Sequence, residues 1–334
     1  MQLQGVVRSI RRRALSELRS HGKFAAWRER DFLHGRSVPA GVIVLSTRGC
    51  AWALRGGCTM CGYVYDSSRG VSQAEVLRQF KEGVARLGDV AYLKVFNSGS
   101  FFDSDEIAPE TRREIYRIVN TLGVERLQVE SRPEYISRGV LEEAAELLEP
   151  ELEVGIGLES TSDYVREVCI NKGFTLKEFR RALRLCRGAG ARVKAYLLIK
   201  PPFLTEAEAV EDAVRSGTKA ARLGVDRLSF NPVNVQRGTL VEELFKKREY
   251  RPPWLWSVVA VVRRVKERVG IPVVCSPSGA GTRRGAHNCG RCDSRVLSAI
   301  RSFSATQEIE HLHGLDCECM RSWREELALE VFLR

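Results

Sequence analysis

Three cysteines crowd one short segment, Cys50-Ala51-Trp52-Ala53-Leu54-Arg55-Gly56-Gly57-Cys58-Thr59-Met60-Cys61, directly after the apolar run Val42-Ile43-Val44-Leu45. Three thiolates on a glycine-containing loop can hold a soft metal centre. Three rather than four leave one coordination position open, as a catalytic metal does and a structural one does not. An iron–sulfur cluster needs thiolate ligands and is tuned by the shell around them. The expected chemistry is a cubane cluster whose fourth iron binds a small molecule. Half of a zinc knuckle, or plain buried thiols, are the other readings of this segment.

A second group lies late in the chain, Cys289 and Cys292 within His287-Asn288-Cys289-Gly290-Arg291-Cys292, then Cys317-Glu318-Cys319. The spacing of Cys289 and Cys292 is that of a knuckle, in which a backbone turn lets both thiolates meet one metal. Two such pairs point to a closed tetrahedral zinc site that ties the segment together structurally. His287 is an alternative ligand, and a second iron–sulfur cluster or unligated thiols are alternative readings. Arg283, Arg284 and Arg291 beside it offer a phosphate-binding surface. Cys169, Cys186 and Cys275 stand singly in apolar settings and read as small core residues. With no secretory signal visible, this cysteine usage argues for metals rather than disulfides, and for a cytoplasmic protein.

The elements that must position these groups follow from periodicity. From residue 41 short apolar runs alternate with amphipathic stretches. Strands are expected at Val42–Ser46, Val90–Phe96, Arg126–Glu130, Leu152–Leu158, Val193–Ile199 and Arg227–Phe230, with helices between them. Ser72 with Glu75, Thr175 with Glu178 and Thr205 with Glu208 are spaced as capping boxes. Six such units with nearly wholly apolar strands mean an α/β fold, a parallel sheet covered by helices. A partly open barrel fits, as does a doubly wound sheet. In either, function collects at the carboxyl ends of the strands. There stand the cysteine loop, Asn97-Ser98-Gly99-Ser100, Glu130 and Arg132, Glu159, Lys200 and Asn231. A structural ion pair is the alternative reading for Glu130 and Arg132. Beyond about residue 240 the rhythm is expected to stop, with a further helix at 254–269, a strand at 271–275 and the glycine-rich basic loop Ser278–Gly285.

The 44% hydrophobic and 28% charged content is that of a soluble globular chain. The net charge of +11 is uneven: residues 1–40 hold nine Lys and Arg against three Asp and Glu. Val6, Ile10, Ala14 and Leu18 recur at helical spacing there. Residues 1–40 therefore read as a basic helical extension, its aromatics, Trp27 foremost, docking it onto the main domain. Such a balance suggests a polyanion, of which nucleic acid is the commonest, or simply a solvated surface.

With these groups in place, residues 41–240 resemble the core of the radical S-adenosylmethionine (SAM) superfamily. The usual first cysteine spacing is three residues; here it is seven, then two. Longer first spacings occur in the Elongator-like branch, which Val129-Glu130-Ser131-Arg132-Pro133-Glu134, Val154-Gly155-Ile156-Gly157-Leu158-Glu159-Ser160 and Asn171-Lys172-Gly173-Phe174-Thr175 also resemble. Arg48-Gly49-Cys50, Phe96-Asn97-Ser98-Gly99-Ser100-Phe101-Phe102-Asp103 and His287–Asp293 resemble the archaeosine-synthase radical SAM subunit family. The resemblance implies a partial (β/α)6 TIM-like barrel, with residues 241–334 as a small metal-binding region. It implies a [4Fe-4S] cluster on Cys50, Cys58 and Cys61 with SAM on the open iron. Asn97, Ser98 and Gly99 would meet the SAM amino group, Arg132 its carboxylate, and Glu130, Glu159 and Asn231 other parts. The usual Gly-Gly-Glu after the second strand is missing, which sets Asn97 apart from the common pattern.

The implied reaction is that of a tRNA lyase. A lysine adduct of 7-cyano-7-deazaguanine in the tRNA D-loop is converted to archaeosine by radical cleavage of the lysine side-chain N–C bond. A lysine-transferring archaeosine synthase subunit and an electron donor of unknown identity are the implied partners. Alternatives are another radical SAM modification of tRNA, by methylthiolation or acyl transfer, or a non-catalytic zinc-dependent RNA-binding protein. The absence of cysteines from residues 1–40 and of an acetyltransferase-sized segment after 240 disfavours the first.

Overall fold

The structure, a computed structural model, describes residues 3–16, 24–68 and 70–332. Eight strands form one sheet in chain order: β1 (Ala25–Leu33), β2 (Arg36–Val44), β3 (Tyr92–Phe96), β4 (Arg126–Glu130), β5 (Glu151–Glu159), β6 (Arg192–Ile199), β7 (Arg227–Pro232) and β8 (Val273–Cys275). β1 and β2 are an antiparallel hairpin, with Ala25 opposite Val44 and Leu33 opposite Arg36. Every later neighbouring pair is parallel. Parallel strands need long crossovers, and the helices supply them. α1 (Leu3–Ser16) precedes the hairpin, and α2 (Ala51–Arg55) lies inside the cysteine loop. α3 (Gln73–Leu87), α4 (Pro109–Asn120), α5 (Arg138–Leu147), α6 (Leu176–Gly188) and α7 (Glu206–Leu223) each lead to the next strand. α8 (Leu240–Lys246) and α9 (Leu255–Lys266) precede β8, and α10 (Asp293–Thr306) and α11 (Cys319–Phe332) follow it. Both reciprocal capping boxes, at Thr175/Glu178 and Thr205/Glu208, are formed. Among the described residues no helix is long and apolar enough to cross a membrane.

Two expectations need correction. The helix near the start is described over Leu3–Ser16, Leu18 lies outside the described residues, and residues 25–40 belong to the hairpin instead. Trp27 does not dock anything; it stands on β1, 43% exposed, its indole N–H turned to Glu29. The hairpin signal lay in His34-Gly35, both at positive φ, the backbone that a tight two-residue hairpin turn requires. Nor does the strand–helix rhythm stop at 240. β8 pairs in parallel with β7, and Val273 and Cys275 join the same continuous core as the rest of the sheet.

The hairpin was hidden because its inward side chains are charged. Asp31 of β1 accepts from Arg227 of β7 at 2.8 Å and is ion-paired with Lys94 of β3. First and seventh strands meet through side chains, so the sheet curls into a half-barrel. Its lumen is polar. The Tyr92 hydroxyl lies between two acceptors that share its one proton, Gln128 Oε1 at 2.7 Å and Glu153 at 2.5 Å, and Lys194 donates to Gln128 at 3.0 Å. Burial pushes the Asp31 carboxyl up, but Lys94, Arg227 and Lys194 outweigh it and hold it well below the usual carboxylate range. Its stabilisation is therefore fully present above the unfolded value of about 4 and is lost as pH falls below it. Asp31→Ala leaves two buried cations short of a partner, and a loss of about 3–5 kcal/mol is expected at neutral pH. Denaturant titrations at pH 7 and pH 3 check this: the gap between variant and wild type narrows in acid.

Candidate active site at the cysteine loop

The cysteine loop crosses the carboxyl end of the barrel and is buttressed from three directions. Beneath it runs the segment Cys169–Gly173. Thr59 donates from its backbone to Ile170 O at 2.9 Å and from its hydroxyl to Cys169 O at 2.8 Å. Asn171, at φ 55°, donates its side-chain amide to Gly57 O at 2.8 Å, while the Trp52 indole donates to Asn171 O at 2.9 Å. From the other side the segment after β7 closes in. Val241 N–H reaches Thr59 O at 3.1 Å, and Tyr65 hydroxyl reaches Gly238 O at 2.8 Å. The third support is α1. Arg11, only 2% exposed, donates to the carbonyls of Gly56 at 3.4 Å, Cys58 at 3.2 Å and Cys61 at 2.7 Å. Sequence reasoning saw a basic helix there and missed this clamp.

Burial pushes the Cys58 thiol up to about 12, against Lys172 and Arg132. Burial likewise raises Cys61, with Arg11 opposing. Both thiols are thus neutral until a metal takes their protons. Among the described residues, the only three or more Cys, His, Asp or Glu ligand atoms within 4.8 Å of one another are in the late cysteine group. Cys50, Cys58 and Cys61 do not form such a close group.

The strand-end residues converge on this loop. Asn97 follows β3 and donates to Glu106 at 2.7 Å; its Oδ1 is buried without a partner. Glu106, unnoticed in the sequence, accepts from Asn97, from Thr47 hydroxyl at 2.5 Å and from Ser100 N–H at 2.7 Å. It thereby fixes the turn 97–100 against the first strand's exit. Ser98 donates to Tyr63 O at 3.2 Å. Arg132 donates to Glu134 at 2.6 Å and to Lys172 O at 3.1 Å, lies over the Trp52 and Phe174 rings, and keeps one buried guanidinium nitrogen unpartnered. Its carboxylate partner is Glu134, so a Glu130–Arg132 ion pair is not formed. A cation and a carbonyl oxygen left open beside three thiols fit a ligand carrying a carboxylate and an ammonium, the two groups by which SAM chelates a metal.

Gly99 shows how closely these parts meet. A Cβ there would lie 2.7 Å from Cys50 Cα and 2.2 Å from Glu106 Oε2. Backbone cannot yield at that distance, so Gly99→Ala is expected to weaken SAM binding to the reconstituted protein at least about tenfold, roughly 1.4 kcal/mol. Anaerobic equilibrium dialysis with labelled SAM measures it.

At the end of β5, Glu159, at φ 65°, is paired with Lys172 at 2.7 Å. Gly157 makes room, since its Cβ would lie 2.6 Å from both side chains. Lys200 is paired with Glu206 at 2.5 Å, and Asn231 stands half-buried in β7. Glu130 is hydrogen-bonded by Tyr196, and burial pushes it up to about 7 against that bond and Lys194. A carboxyl raised from 4.5 to about 7 on folding destabilises the fold as pH climbs through that window. In SAM-free protein, Glu130→Gln is expected to match wild type at pH 4 and to exceed it by up to about 3 kcal/mol above pH 7, read from denaturant midpoints.

The late cysteines form a separate site. Sγ separations are 3.9 Å for Cys289–Cys292 and 3.7 Å for both Cys289–Cys317 and Cys292–Cys319. A tetrahedral ion with bonds of about 2.3 Å places its sulfurs about 3.8 Å apart. The set therefore fits one ion and is too tight for a cubane. His287 stands outside it, its Nδ1 2.8 Å from Gly285 O. Arg291 pairs with Glu318 beside the tetrad, whereas Arg284 turns away to Glu242 and Val235 O. They do not share a ligand-facing cluster.

Residues 44–215 match the radical SAM superfamily. The chain is 39% identical over 314 residues to "Archaeosine synthase subunit beta" of Methanosarcina acetivorans, covering 92% of this chain and 90% of that one. It is 39% identical over 307 residues to the protein of the same name from Thermococcus kodakarensis, covering 89% and 94%. Among solved structures it is similar to a queuine lyase from Clostridium spiroforme, at TM-score 0.50 and 23% identity, covering 67% of this chain and 88% of the other. It is also similar to the archaeal Elp3 of Methanocaldococcus infernus, at TM-score 0.50 and 18% identity, covering 75% and 60%. At those identities the two structures speak for the fold alone.

Proposed function

The chain belongs to the radical SAM superfamily and, within it, to the family of archaeosine synthase subunit beta, and from that membership we propose that it breaks the side-chain N–C bond of a lysine-adducted 7-deazaguanine in tRNA, so that the lysine ε-nitrogen stays on the base as the amidine of archaeosine and the carbon chain departs without it. The observation that carries this reading is likeness over nine-tenths of the chain to relatives bearing that name, joined to a loop that carries three free, buried or half-buried thiols. Cys50, Cys58 and Cys61 would hold a [4Fe-4S] cluster, which together with bound SAM would supply the one-electron radical chemistry needed to activate the lysine side chain.

The protein's own groups do the positioning. Arg132 offers its open nitrogen to the SAM carboxylate. Asn97 offers its open Oδ1 to the ammonium, with Ser98 and Gly99 letting the turn approach. Glu130, Glu159 and Asn231 face the rest of the ligand space from the strand ends. Arg11 and Asn171 hold the loop, and the half-barrel around it keeps the reacting centre away from water. The late tetrad holds a structural zinc ion. A lysine-transferring subunit supplies the adducted tRNA.

The test is anaerobic turnover of reconstituted protein, a reductant and SAM with tRNA carrying the lysine adduct, followed by nucleoside mass spectrometry. Archaeosine formed in proportion to SAM consumed is expected. SAM cleavage with the adduct intact and another nucleoside altered overturns the assignment.

A further inference from the structure

The barrel mouth is strongly basic on one side, and side-chain contacts make that side continuous. α1 carries four arginines and no acidic residue. Arg8 donates to Arg55 O at 3.1 Å, joining α1 to the end of α2, and Arg11 forks into the cysteine loop. Arg13 pairs with Glu243 of α8 at 3.4 Å. Arg284 donates to Val235 O at 3.1 Å and to Glu242 at 2.8 Å, drawing the glycine-rich loop against the segment after β7. Exposed along this line are Arg8, Arg12, Arg55, Arg237, Lys246 and Arg283. Its acidic members are already engaged: Glu242 by Arg284 and Lys246, Glu243 by Arg13 and Lys246. Between α1 and α8 a cleft of about 460 Å³ opens beside Arg13, Arg237 and Lys246.

We propose that this rim, from α1 across Arg55 and Arg237 to Arg283, is a docking surface for the sugar–phosphate backbone of a folded RNA. The inference rests on the reading above that the substrate is RNA, and adds where it sits. A polyphosphate is the partner that such a row suits, because each phosphate contact releases condensed counterions and gives binding a steep salt dependence. The position also serves the chemistry. The same helix that presents Arg8 and Arg12 outward fastens the cluster loop inward through Arg11, so RNA held on the rim lies beside the loop. A rival basic face exists on the barrel flank, where α6 exposes Lys177, Arg180, Arg181, Arg184 and Arg187. That helix packs on β5 and β6 and on the turn Pro133–Tyr135, and among the described residues no hydrogen bond joins it to the cysteine loop as Arg8 and Arg11 join α1.

Fluorescence anisotropy with a folded full-length tRNA transcript, titrated with KCl, tests the proposal on the full reconstituted chain. Arg8→Glu/Arg12→Glu is expected to weaken binding at least tenfold and to lower the salt slope by about two. Arg180→Glu/Arg184→Glu is expected to change affinity less than twofold. Iron content of each variant shows whether the cysteine loop is intact. If the α1 variant loses iron, Arg237→Glu and Arg283→Glu, which stand off α1, carry the test with at least a threefold loss expected of each. Wild-type affinity in the rim variants, or loss confined to the α6 variant, overturns the proposal. Wild-type protein that binds no tRNA overturns the RNA reading itself.

Discussion

Cys58→Ala protein, reconstituted anaerobically with iron and sulfide, is expected to retain little iron and to give no measurable SAM cleavage, while its thermal midpoint moves by only a few degrees. The two halves of this outcome have separate causes. Cys58 is 7% exposed and sits in a small apolar cluster with Val165, Cys169, Ile170, Leu198 and Val233. Losing one sulfur there removes a small packed group, a change of about 1–2 kcal/mol at most. The loop's course does not depend on that sulfur, since Thr59, Asn171 and Arg11 hold it through hydrogen bonds to its backbone and neighbours. Ligation, by contrast, has no substitute. With Cys58 gone two thiols remain, and among the described residues no other cysteine, histidine or carboxylate forms a close ligand group with them. Cys169→Ala is the matched control. It removes a sulfur from the same cluster, also buried at 1% exposure, but not a ligand, and full iron and full cleavage are expected. Cys58→Ala protein with wild-type iron content and SAM cleavage contradicts the assignment of the loop.

What was legible in the chain, and what was not, follows from sequence distance. The strands β4 to β7 and their caps were readable because apolar runs and capping boxes are local. The three thiols and the polar groups at the strand ends were readable because a parallel sheet sends all those ends one way. Arg11 was not readable as a clamp, because its three carbonyl partners lie 45 to 50 residues away. Glu106 looked like one more loop carboxylate; only folding brings Thr47, Asn97 and Ser100 around it. The hairpin escaped because Glu29 and Asp31 face a lumen whose Lys94 and Arg227 make burial of charge tolerable, so the usual apolar alternation is absent.

Cys292→Ala, which breaks the tetrad proposed to hold zinc, is expected to act on stability first and on chemistry only through it. Cys292 is 4% exposed at the start of α10, and Cys317 and Cys319 lie just before and at the start of α11. One ion at their centre would therefore join two helix starts. α11 depends on that joint, yet it also works for the barrel. Glu330 accepts from the N–H groups of Glu206 and Ala207 at the start of α7, at 3.2 and 2.8 Å. Trp323 donates to Ser257 at 2.8 Å, and Trp254 donates to Glu326 at 2.7 Å, stitching α11 to α9. Without the ion, four sulfurs at 3.7–3.9 Å have only weak S–H contacts in place of bonds, and α11 is held by these side chains alone. A destabilisation above about 4 kcal/mol is expected, the range in which loss of a metal stands among the few sufficient causes. Hydrogen exchange should show lost protection concentrated in α10 and α11 and at the start of α7, with β3 to β6 retained. Elemental analysis should fall by one zinc per chain while iron on the cysteine loop stays. A normal midpoint with unchanged zinc would place the ion elsewhere; a loss of iron together with zinc would mean that the two metal centres are coupled, against the separation of the two sites in the fold.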